Sequence, residues 1–398
     1  MKSKKYTLWI IMLIVALNSI GFSIVLPLLP FLVGKYLPSR QVVVGMSALL
    51  SVFAACTFFA APVLGALSDR YGRKKILMVS LFGSVIGYIL FGIGGALWVL
   101  FLGRIIDGLT AGNISTLFAY LSDTIAPKER IKWFGYIGAV MGTGKIGGPA
   151  LGGLLGNISI GLPFYVTAAL IFLSGLAVYF LLPESLPPEK RTKQLTLASM
   201  NTFYLFKEIF SLKAVKLLLL LGALFYAGLG IFQFNFTVFL KDVYHWGPQL
   251  IGILLTVVGV FDIVTRAVLL PRLLKHYSEK SIAIAGLIGL GIGLGLILAS
   301  IYLHSLIIIS LAVIFIISGE GLFESTYNGK LSQSVSESQQ GKLQGVSQSL
   351  QSANNMFVPL AAAAIYFYNP GALYAVATLI ILAAVGMCAK YIPRTKPT

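Results

Sequence analysis

The sequence predicts an all-α membrane protein with twelve transmembrane helices, arranged as two pseudo-symmetric six-helix bundles. Three observations lead to this fold class. The chain of 398 residues is 57% hydrophobic and only 11% charged, whereas roughly a quarter of the residues in a soluble domain are charged. Its apolar residues form twelve long runs, and its basic residues lie mainly between alternate runs. Weak sequence matches also relate the first six runs to the last six.

Each apolar run is long enough to cross a bilayer, because a transmembrane helix needs roughly 20 consecutive apolar residues. This number of spans excludes a soluble helical enzyme. The first run follows a basic N-terminus but continues through Pro27 and Pro30 without a small-residue cleavage site, so we interpret it as a span and not as a signal peptide. The predicted spans cover residues 7–33, 42–67, 76–95, 97–123, 132–157, 163–182, 214–240, 248–273, 281–301, 304–328, 342–366 and 371–391.

The distribution of basic residues predicts the orientation of the chain. The formal net charge is +17, and with a cytoplasmic N-terminus most lysines and arginines lie in cytoplasmic loops. Only Lys35, Arg40 and Lys241 fall in the opposite loops. Because cytoplasmic loops are enriched in Lys and Arg, we expect both termini in the cytoplasm and no nucleic-acid partner. Cys56 and Cys388 lie in predicted spans, so no disulfide framework is expected.

A polar segment at residues 183–213 separates the first six predicted spans from the last six. It begins with prolines that end a helix and continues as a charged stretch, which we interpret as an amphipathic cytoplasmic linker. The chain therefore divides into an N-terminal bundle, residues 1–182, and a C-terminal bundle, residues 214–398. The two halves match at a near-constant offset, since Leu67, Tyr71, Lys74 and Ile76 recur 206 positions later as Leu273, Tyr277, Lys280 and Ile282.

The loop between the second and third predicted spans carries the most informative motif. Residues 65–75 read Gly-Ala-Leu-Ser-Asp-Arg-Tyr-Gly-Arg-Lys-Lys, a short polar and basic turn between two apolar runs. Helix ends leave backbone N–H and C=O groups without partners, so Asp69 and Arg73 can cap and pair with neighbouring helices. An ordinary positive-inside loop would explain the bases, but not Gly65, Asp69 and Gly72 together.

This loop resembles the loop-2/3 signature of the major facilitator superfamily of secondary transporters at Gly65, Asp69, Arg70, Gly72 and Arg73. The resemblance implies the major facilitator fold, transport by alternating access and a gating latch. In that latch Asp69 accepts from the N-terminus of a second-half helix, while Arg73 contacts Asp123 at the cytoplasmic end of the fourth span. A static topology anchor is the alternative role of the loop.

The fifth predicted span carries glycines on one helix face. Gly144, Gly148 and Gly152 are each four residues apart, with Pro149 and Gly153 beside them. Small residues at this spacing let a neighbouring helix approach closely, so a plain packing helix is one interpretation. The pattern also resembles the antiporter motif of drug:proton exporters within the superfamily, which implies the direction of transport.

Further motifs resemble the tetracycline-efflux branch of these twelve-span exporters. They lie at residues 21–30, 104–112, 130–136, 163–165 and 341–345. In that branch, intramembrane aspartates used for the metal–drug substrate and the proton occupy the positions of Asn18 and Gly87. This chain has an amide and a glycine there, which makes tetracycline a doubtful substrate.

Several ionisable residues fall inside predicted spans, where a charge is costly and is a functional candidate by default. Within the spans, Arg104 and Asp107 are three residues apart and Asp262 and Arg266 are four apart, so each pair can neutralise itself on one helix face. The resemblance nevertheless links the basic residue at position 104 to proton transfer. Lys145 replaces a residue that is usually apolar in the antiporter motif. The candidates for proton coupling are Glu320, Glu324, Arg104, Asp107 and Asp262.

Glu320 and Glu324 lie one turn apart on the tenth predicted span, and we expect no neighbouring base beside them. Burial and mutual repulsion favour the protonated form of at least one of them, so this group can bind and release a proton as the cavity changes sides. An ionised carboxylate can equally bind a cationic drug in competition with the proton. Alternatively, both residues lie near the cytoplasmic mouth and are merely solvated.

Aromatic and amide side chains suggest a wide, adaptable substrate cavity. Repeat-built transporters place their substrate site near the bilayer midplane between the repeats, and a pocket of aromatics with a few polar groups suits bulky amphipathic ligands. Any one of these aromatics can instead be ordinary helix packing. The candidates are Asn18, Phe232, Gln233, Asn235, Gln348, Gln351 and Asn354.

Together these patterns predict a proton-coupled antiporter that exports amphipathic organic solutes or drugs across the cytoplasmic membrane. We expect a multi-pass monomer that uses the proton gradient, without a cofactor or metal. The chain has no G-x-x-x-x-G-K-[ST] loop, so direct ATP coupling is not expected. The alternatives are a proton symporter that imports a small nutrient, an exporter of a lipid-like substrate, and a receptor that kept the fold without transport.

Overall fold

The computed structural model describes residues 2–125, 127–191, 213–334 and 340–391. These residues form helices joined by short turns, so the predicted all-α class is confirmed. In the described parts, eight helices are long and apolar enough to cross a membrane, and a shorter apolar stretch covers Thr7–Gly21. Each of the predicted spans coincides with one or two of the observed helices.

Short connections join the helices that precede the linker. They are α1 (Lys2–Ile24), α2 (Leu29–Val33), α3 (Ser39–Tyr71), α4 (Arg73–Ile93), α5 (Leu97–Leu109), α6 (Asn113–Thr124), α7 (Pro127–Ile158) and α8 (Leu162–Leu181). Those after it are α9 (Lys213–Tyr244), α10 (Pro248–Val264), α11 (Leu270–Leu274), α12 (Glu279–Leu303), α13 (Leu306–Gln333), α14 (Gln340–Tyr368) and α15 (Pro370–Tyr391). A short 3₁₀ turn covers Pro188–Lys190, and a π-helical turn, Thr265–Leu269, joins α10 to α11.

The chain forms two compact units. Unit 1 comprises Met1–Pro38, Leu49–Thr202 and Trp246–Thr256, and unit 2 comprises Ser39–Ala48, Phe203–His245 and Val257–Thr398. In unit 1, α4 packs on α8, where the rings of Phe91 and Phe164 lie 5.4 Å apart. In unit 2, α9 packs on α13, where Phe225 and Phe323 lie 4.5 Å apart. The division of the chain at residues 183–213 stays a prediction, because residues 192–212 lie outside the described parts.

The fourth predicted span, residues 97–123, is interrupted. Helix α5 ends at Leu109 and α6 begins at Asn113. The hydroxyl of Thr110 donates to the carbonyl of Ile106 at 2.8 Å, and the N–H of Gly112 donates to the carbonyl of Thr110 at 2.7 Å. Side-chain hydroxyls that bond the preceding turn compete with the helical ladder, so a compact turn replaces one turn of helix.

The eighth predicted span, residues 248–273, contains the π-helical turn. The N–H of Leu270 donates to the carbonyl of Thr265, five residues back. Pro271 follows directly and has no N–H to donate to the carbonyl of Ala267, so the helix widens by one residue before it. This turn carries Arg266, and it therefore sets where that side chain points.

Candidate functional site

The loop of residues 65–75 places Arg73 at the centre of an ion cluster in unit 1. Gly72, with φ +102°, separates α3 from α4. The guanidinium of Arg73 lies 2.5 Å from Oδ1 of Asp69 through Nη1 and 3.0 Å from Oδ2 of Asp123 through Nε. The predicted contact between Arg73 and Asp123 is therefore confirmed. Nη1 also donates to the hydroxyl of Ser68 at 2.6 Å, and Arg73 is buried.

Other residues of the motif lie outside this ion cluster. A Cβ on Gly65 would meet nothing within 4 Å, and the carbonyl of Gly65 accepts from the hydroxyl of Ser68 at 2.8 Å. The guanidinium of Arg70 lies over the ring of Tyr71, 5.3 Å from its centre. The side chain of Asp69 is 49% exposed, and its contact with a second-half helix stays a prediction.

The glycines of α7 form two close contacts within unit 1. Towards α1, Cβ atoms on Gly144, Gly148 and Gly152 would overlap Ser19, Ser23 and the carbonyl of Ile24, respectively. Towards α10, a Cβ on Gly153 would lie 2.8 Å from the carbonyl oxygen of Pro248 and 3.1 Å from Cα of Gly252. Pro149 lies inside α7, which continues through it. The predicted packing face is confirmed, and its role in antiport stays a prediction.

The pair of Arg104 and Asp107 is enclosed in the interior of unit 1. Nη1 of Arg104 lies 3.4 Å from Oδ2 of Asp107, and their side chains are 6% and 9% exposed. The hydroxyl of Ser84 donates to Oδ1 of Asp107 at 2.6 Å. The guanidinium lies 4.6 Å from the ring centre of Phe91. A Cβ on Gly87 would lie 2.8 Å from Cβ of Asp107, so the packing leaves no room there for an acidic side chain.

Unit 2 contains a cluster of one guanidinium and three carboxylates, which we call the acidic cluster. Nε of Arg266 lies 2.6 Å from Oδ1 of Asp262, which confirms the predicted pair, and Nη2 lies 2.8 Å from Oε2 of Glu324. The same Nη2 lies 3.9 Å from Oε1 of Glu320, whose side chain is 9% exposed. The four side chains carry one positive charge and up to three negative charges.

The expectation that Glu320 and Glu324 have no neighbouring base is wrong. Arg266 precedes Glu324 by 58 positions and comes from a different helix, so no local sequence pattern indicated the contact. Gly321 allows the approach, because a Cβ there would lie 3.0 Å from Cγ2 of Thr265 and 3.5 Å from Cγ of Arg266. In the sequence, Pro271 was the residue that could have indicated the widened turn.

Neighbouring polar side chains complete the acidic cluster. The hydroxyl of Tyr226 donates to Oε1 of Glu324 at 3.2 Å, and Nε2 of Gln233 donates to Oε1 of Glu320 at 3.4 Å. Nδ2 of Asn354 donates to the carbonyl of Tyr226 at 2.9 Å. Of the predicted cavity residues, Gln233 and Asn354 therefore lie beside the acidic cluster. Tyr226 was missed, because a tyrosine in an apolar span is usually a packing residue.

The remaining cavity candidates are distributed differently. Asn235 is fully buried and donates to the carbonyl of Ile231 on its own helix at 3.1 Å. Phe232 packs on Phe236, with ring centres 4.6 Å apart. In unit 1, Asn18 is buried and donates to the carbonyl of Ile14 at 2.8 Å. Gln351 is half-buried, and the side chains of Gln348 and Lys145 lie outside the described parts of the chain.

Comparison with known proteins gives consistent matches over nearly the whole chain. Residues 11–359 match the Major Facilitator Superfamily. The chain is 32% identical over 367 residues to the tetracycline resistance protein, class H, of Pasteurella multocida, covering 90% of this chain and 89% of that protein. It is 27% identical over 362 residues to multidrug resistance protein 1 of Bacillus subtilis (strain 168), covering 90% of each. A crystal structure of the nucleoside transporter NupG has a similar fold, with a TM-score of 0.77 at 13% identity, over 97% of this chain and 100% of that chain.

Proposed function

This chain belongs to the major facilitator superfamily, and on that premise we propose that it is a proton-coupled antiporter exporting amphipathic organic solutes. It is a multi-pass membrane transporter of small molecules and not an enzyme. In the proposed cycle the protein works as a monomer in the cytoplasmic membrane, with both termini in the cytoplasm. A proton enters from outside as a solute leaves, without a cofactor.

The acidic cluster carries this proposal. Asp262, Glu320 and Glu324 share the guanidinium of Arg266, at 2.6, 3.9 and 2.8 Å. With every carboxylate ionised, the four side chains would carry a net charge of −2 within membrane-spanning helices, where uncompensated charge is costly. Binding a proton reduces that charge, and so does binding a cationic group of a solute. Proton and solute can therefore exclude one another from the cluster.

The contacts support different roles for the acids of the acidic cluster. Glu324 accepts from both Arg266 and Tyr226, and Asp262 accepts from Arg266 at the shortest distance. These two acids are therefore the fixed partners of the base. Glu320 lies farther from the guanidinium and is more deeply buried. We therefore assign Glu320 as the group that exchanges the proton, with Glu324 as its partner.

The Arg104–Asp107 pair has a different charge balance. It contains one base and one acid, both almost fully buried, and Ser84 supplies a further donor to the acid. Because the pair has no net charge, gaining a proton would leave it with an excess charge, whereas a proton reduces the net charge of the acidic cluster. We propose that Arg104 and Asp107 act mainly in holding α4 and α5 together, while the exchange occurs in unit 2.

The cavity candidates and the relatives support the proposed substrate class. Gln233, Asn354 and Tyr226 provide polar groups beside the acidic cluster, and aromatic residues lie nearby on α9. The relatives carry the names of tetracycline and multidrug resistance proteins. Asn18 and Gly87 lack carboxylates, and the packing at Gly87 excludes one. We therefore propose amphipathic amines and similar organic solutes, and not tetracycline, as substrates.

Everted membrane vesicles test the proposed function. With an acidic interior, an antiporter accumulates an organic cation or neutral amphiphile inside while the pH difference partly collapses, and an uncoupler abolishes both effects. A symporter does not accumulate its solute against this gradient, and a fluorescent phospholipid tests for a lipid-like substrate. The absence of solute movement and of reciprocal pH change across a broad panel would contradict antiport.

A further inference from the structure

The segment after α8 folds back onto the loop of residues 65–75 and the start of α4, and Glu184 makes the connecting hydrogen bonds. Its Oε1 accepts from the backbone N–H of Arg73 at 2.9 Å, and its Oε2 accepts from the N–H of Lys74 at 3.3 Å. These are the first two N–H groups of α4, which have no partner within the helix. A carboxylate at this end also complements the helix dipole. Glu184 therefore caps the helix that presents Arg73.

Gly72 provides the space for this cap. Its φ of +102° lies in the region that favours glycine. A Cβ at position 72 would overlap the carboxylate of Glu184 and lie 3.0 Å from Nη2 of Arg191. The second glycine of the loop motif thus has a physical role in this chain, because it lets the segment after α8 reach the end of α4.

The same segment also holds the partner of Arg73. The hydroxyl of Ser185 donates to Oδ2 of Asp123 at 3.1 Å, and this oxygen also accepts from Nε of Arg73. The hydroxyl of Tyr120, on the same helix as Asp123, donates to the carbonyl of Pro183 at 2.5 Å. Residues 183–185 therefore contact the start of α4 and the end of α6, which are the two elements that the Arg73–Asp123 contact joins.

We propose that Glu184 is a positioning residue of the latch, and that residues 183–191 form a clasp that fixes Arg73 against Asp123. In unit 2 the corresponding helix, α12, is capped locally, because the hydroxyl of Ser278 accepts from the N–H of Ser281 at 3.2 Å. The clasp is thus built into the first half, at the point where the linker begins. The transport consequence of this assignment rests on the proposed function.

Hydrogen exchange in lipid nanodiscs tests the clasp without transport. Glu184→Gln replaces one accepting oxygen by an amino group, so the amides of Arg73 and Lys74 should exchange about fivefold faster or more, as expected for a lost helix cap. Glu189→Gln makes the same chemical change at an exposed position of the same segment and should leave these amides unchanged. Gly72→Ala, which displaces the carboxylate without removing it, should reproduce the acceleration.

Transport by the double variant tests whether Glu184 acts through the latch. If it positions Arg73 against Asp123, adding Glu184→Gln to Asp123→Asn should produce no further change in the transport rate. Additive losses, or amide exchange that Glu184→Gln and Gly72→Ala both leave unchanged, would overturn the assignment. If the wild-type protein moved no solute, the proposed function would fail, while the exchange experiment would still decide whether the clasp exists.

Discussion

Lys74 and Lys280 make the same contact in the two halves of the chain. Nζ of Lys74 donates to the carbonyl of Tyr179 near the end of α8 at 2.8 Å, and Nζ of Lys280 donates to the carbonyl of Ala389 near the end of α15 at 2.6 Å. The lysines are 206 positions apart and their acceptors 210. These offsets agree with the sequence repeat, so each half retains a base that caps its last helix.

Loss of either lysine should reduce stability modestly. A base at a helix C-terminus contributes about 0.3–1 kcal/mol, so Lys74→Met and Lys280→Met should each lower the unfolding free energy by about that amount. Thermal unfolding in nanodiscs measures the change. Lys75→Met removes the same charge from the adjacent, exposed position and serves as the control. Equal losses in Lys74→Met and Lys75→Met would show that the helix cap contributes nothing.

Neutralising the carboxylates of α13 should abolish proton-driven transport. Glu320→Gln removes the assigned proton site, and Glu324→Gln removes the acid that Arg266 and Tyr226 hold. In everted vesicles each variant should accumulate no more solute than vesicles that lack the transporter, although the variant protein reaches the membrane normally. Glu279→Gln, at the start of α12, is the control with unchanged transport. Undiminished transport by both single variants and the double variant would remove these residues from the mechanism.

Restoring an N–H at position 271 should move Arg266. In Pro271→Ala the new backbone N–H can donate to the carbonyl of Ala267. The π-helical turn should then become regular α-helix, with hydrogen bonds that span four residues and not five. The contact between Nη2 of Arg266 and Oε2 of Glu324, now 2.8 Å, should then lengthen beyond hydrogen-bond distance in a structure of the variant, and transport should fall. Pro359→Ala, in the regular helix α14, is the control. A π-turn that persists in Pro271→Ala would refute this account of its origin.

Alanine substitution at two glycines of α7 should change the stability of the protein in opposite directions. Gly152→Ala would force a Cβ onto the carbonyl of Ile24, and overpacking of this kind costs about 1–3 kcal/mol. Gly147 has nothing within 4 Å of its would-be Cβ, so Gly147→Ala should stabilise the helix by about 0.5–1 kcal/mol. Chemical denaturation of the two variants compares them directly. Equal effects would mean that the α1–α7 contact is looser than its geometry indicates.

Contacts within one helix or one loop were predictable from the sequence, while contacts between distant helices were predictable only where a family motif indicated them. Hydropathy located the spans, and spacing paired Asp262 with Arg266. The contact of Arg73 with Asp123 followed from the family motif. Periodicity defines the face of a helix but not its neighbours, so the approach of Arg266 to Glu324 and of Glu184 to Arg73 could not be derived. A proline inside a predicted span indicates a distortion without giving its geometry.

The sharing of Arg266 by three acids restricts how this region can change in evolution. Loss of the arginine alone would leave uncompensated negative charge in the membrane interior, so that step is selected against while the acids remain. Loss of Asp262 first reduces that charge and leaves in place Glu320 and Glu324, which transport requires. Suppressors of an inactive Arg266 variant should therefore arise at Asp262, the acid nearest to the base, and not at Glu320 or Glu324.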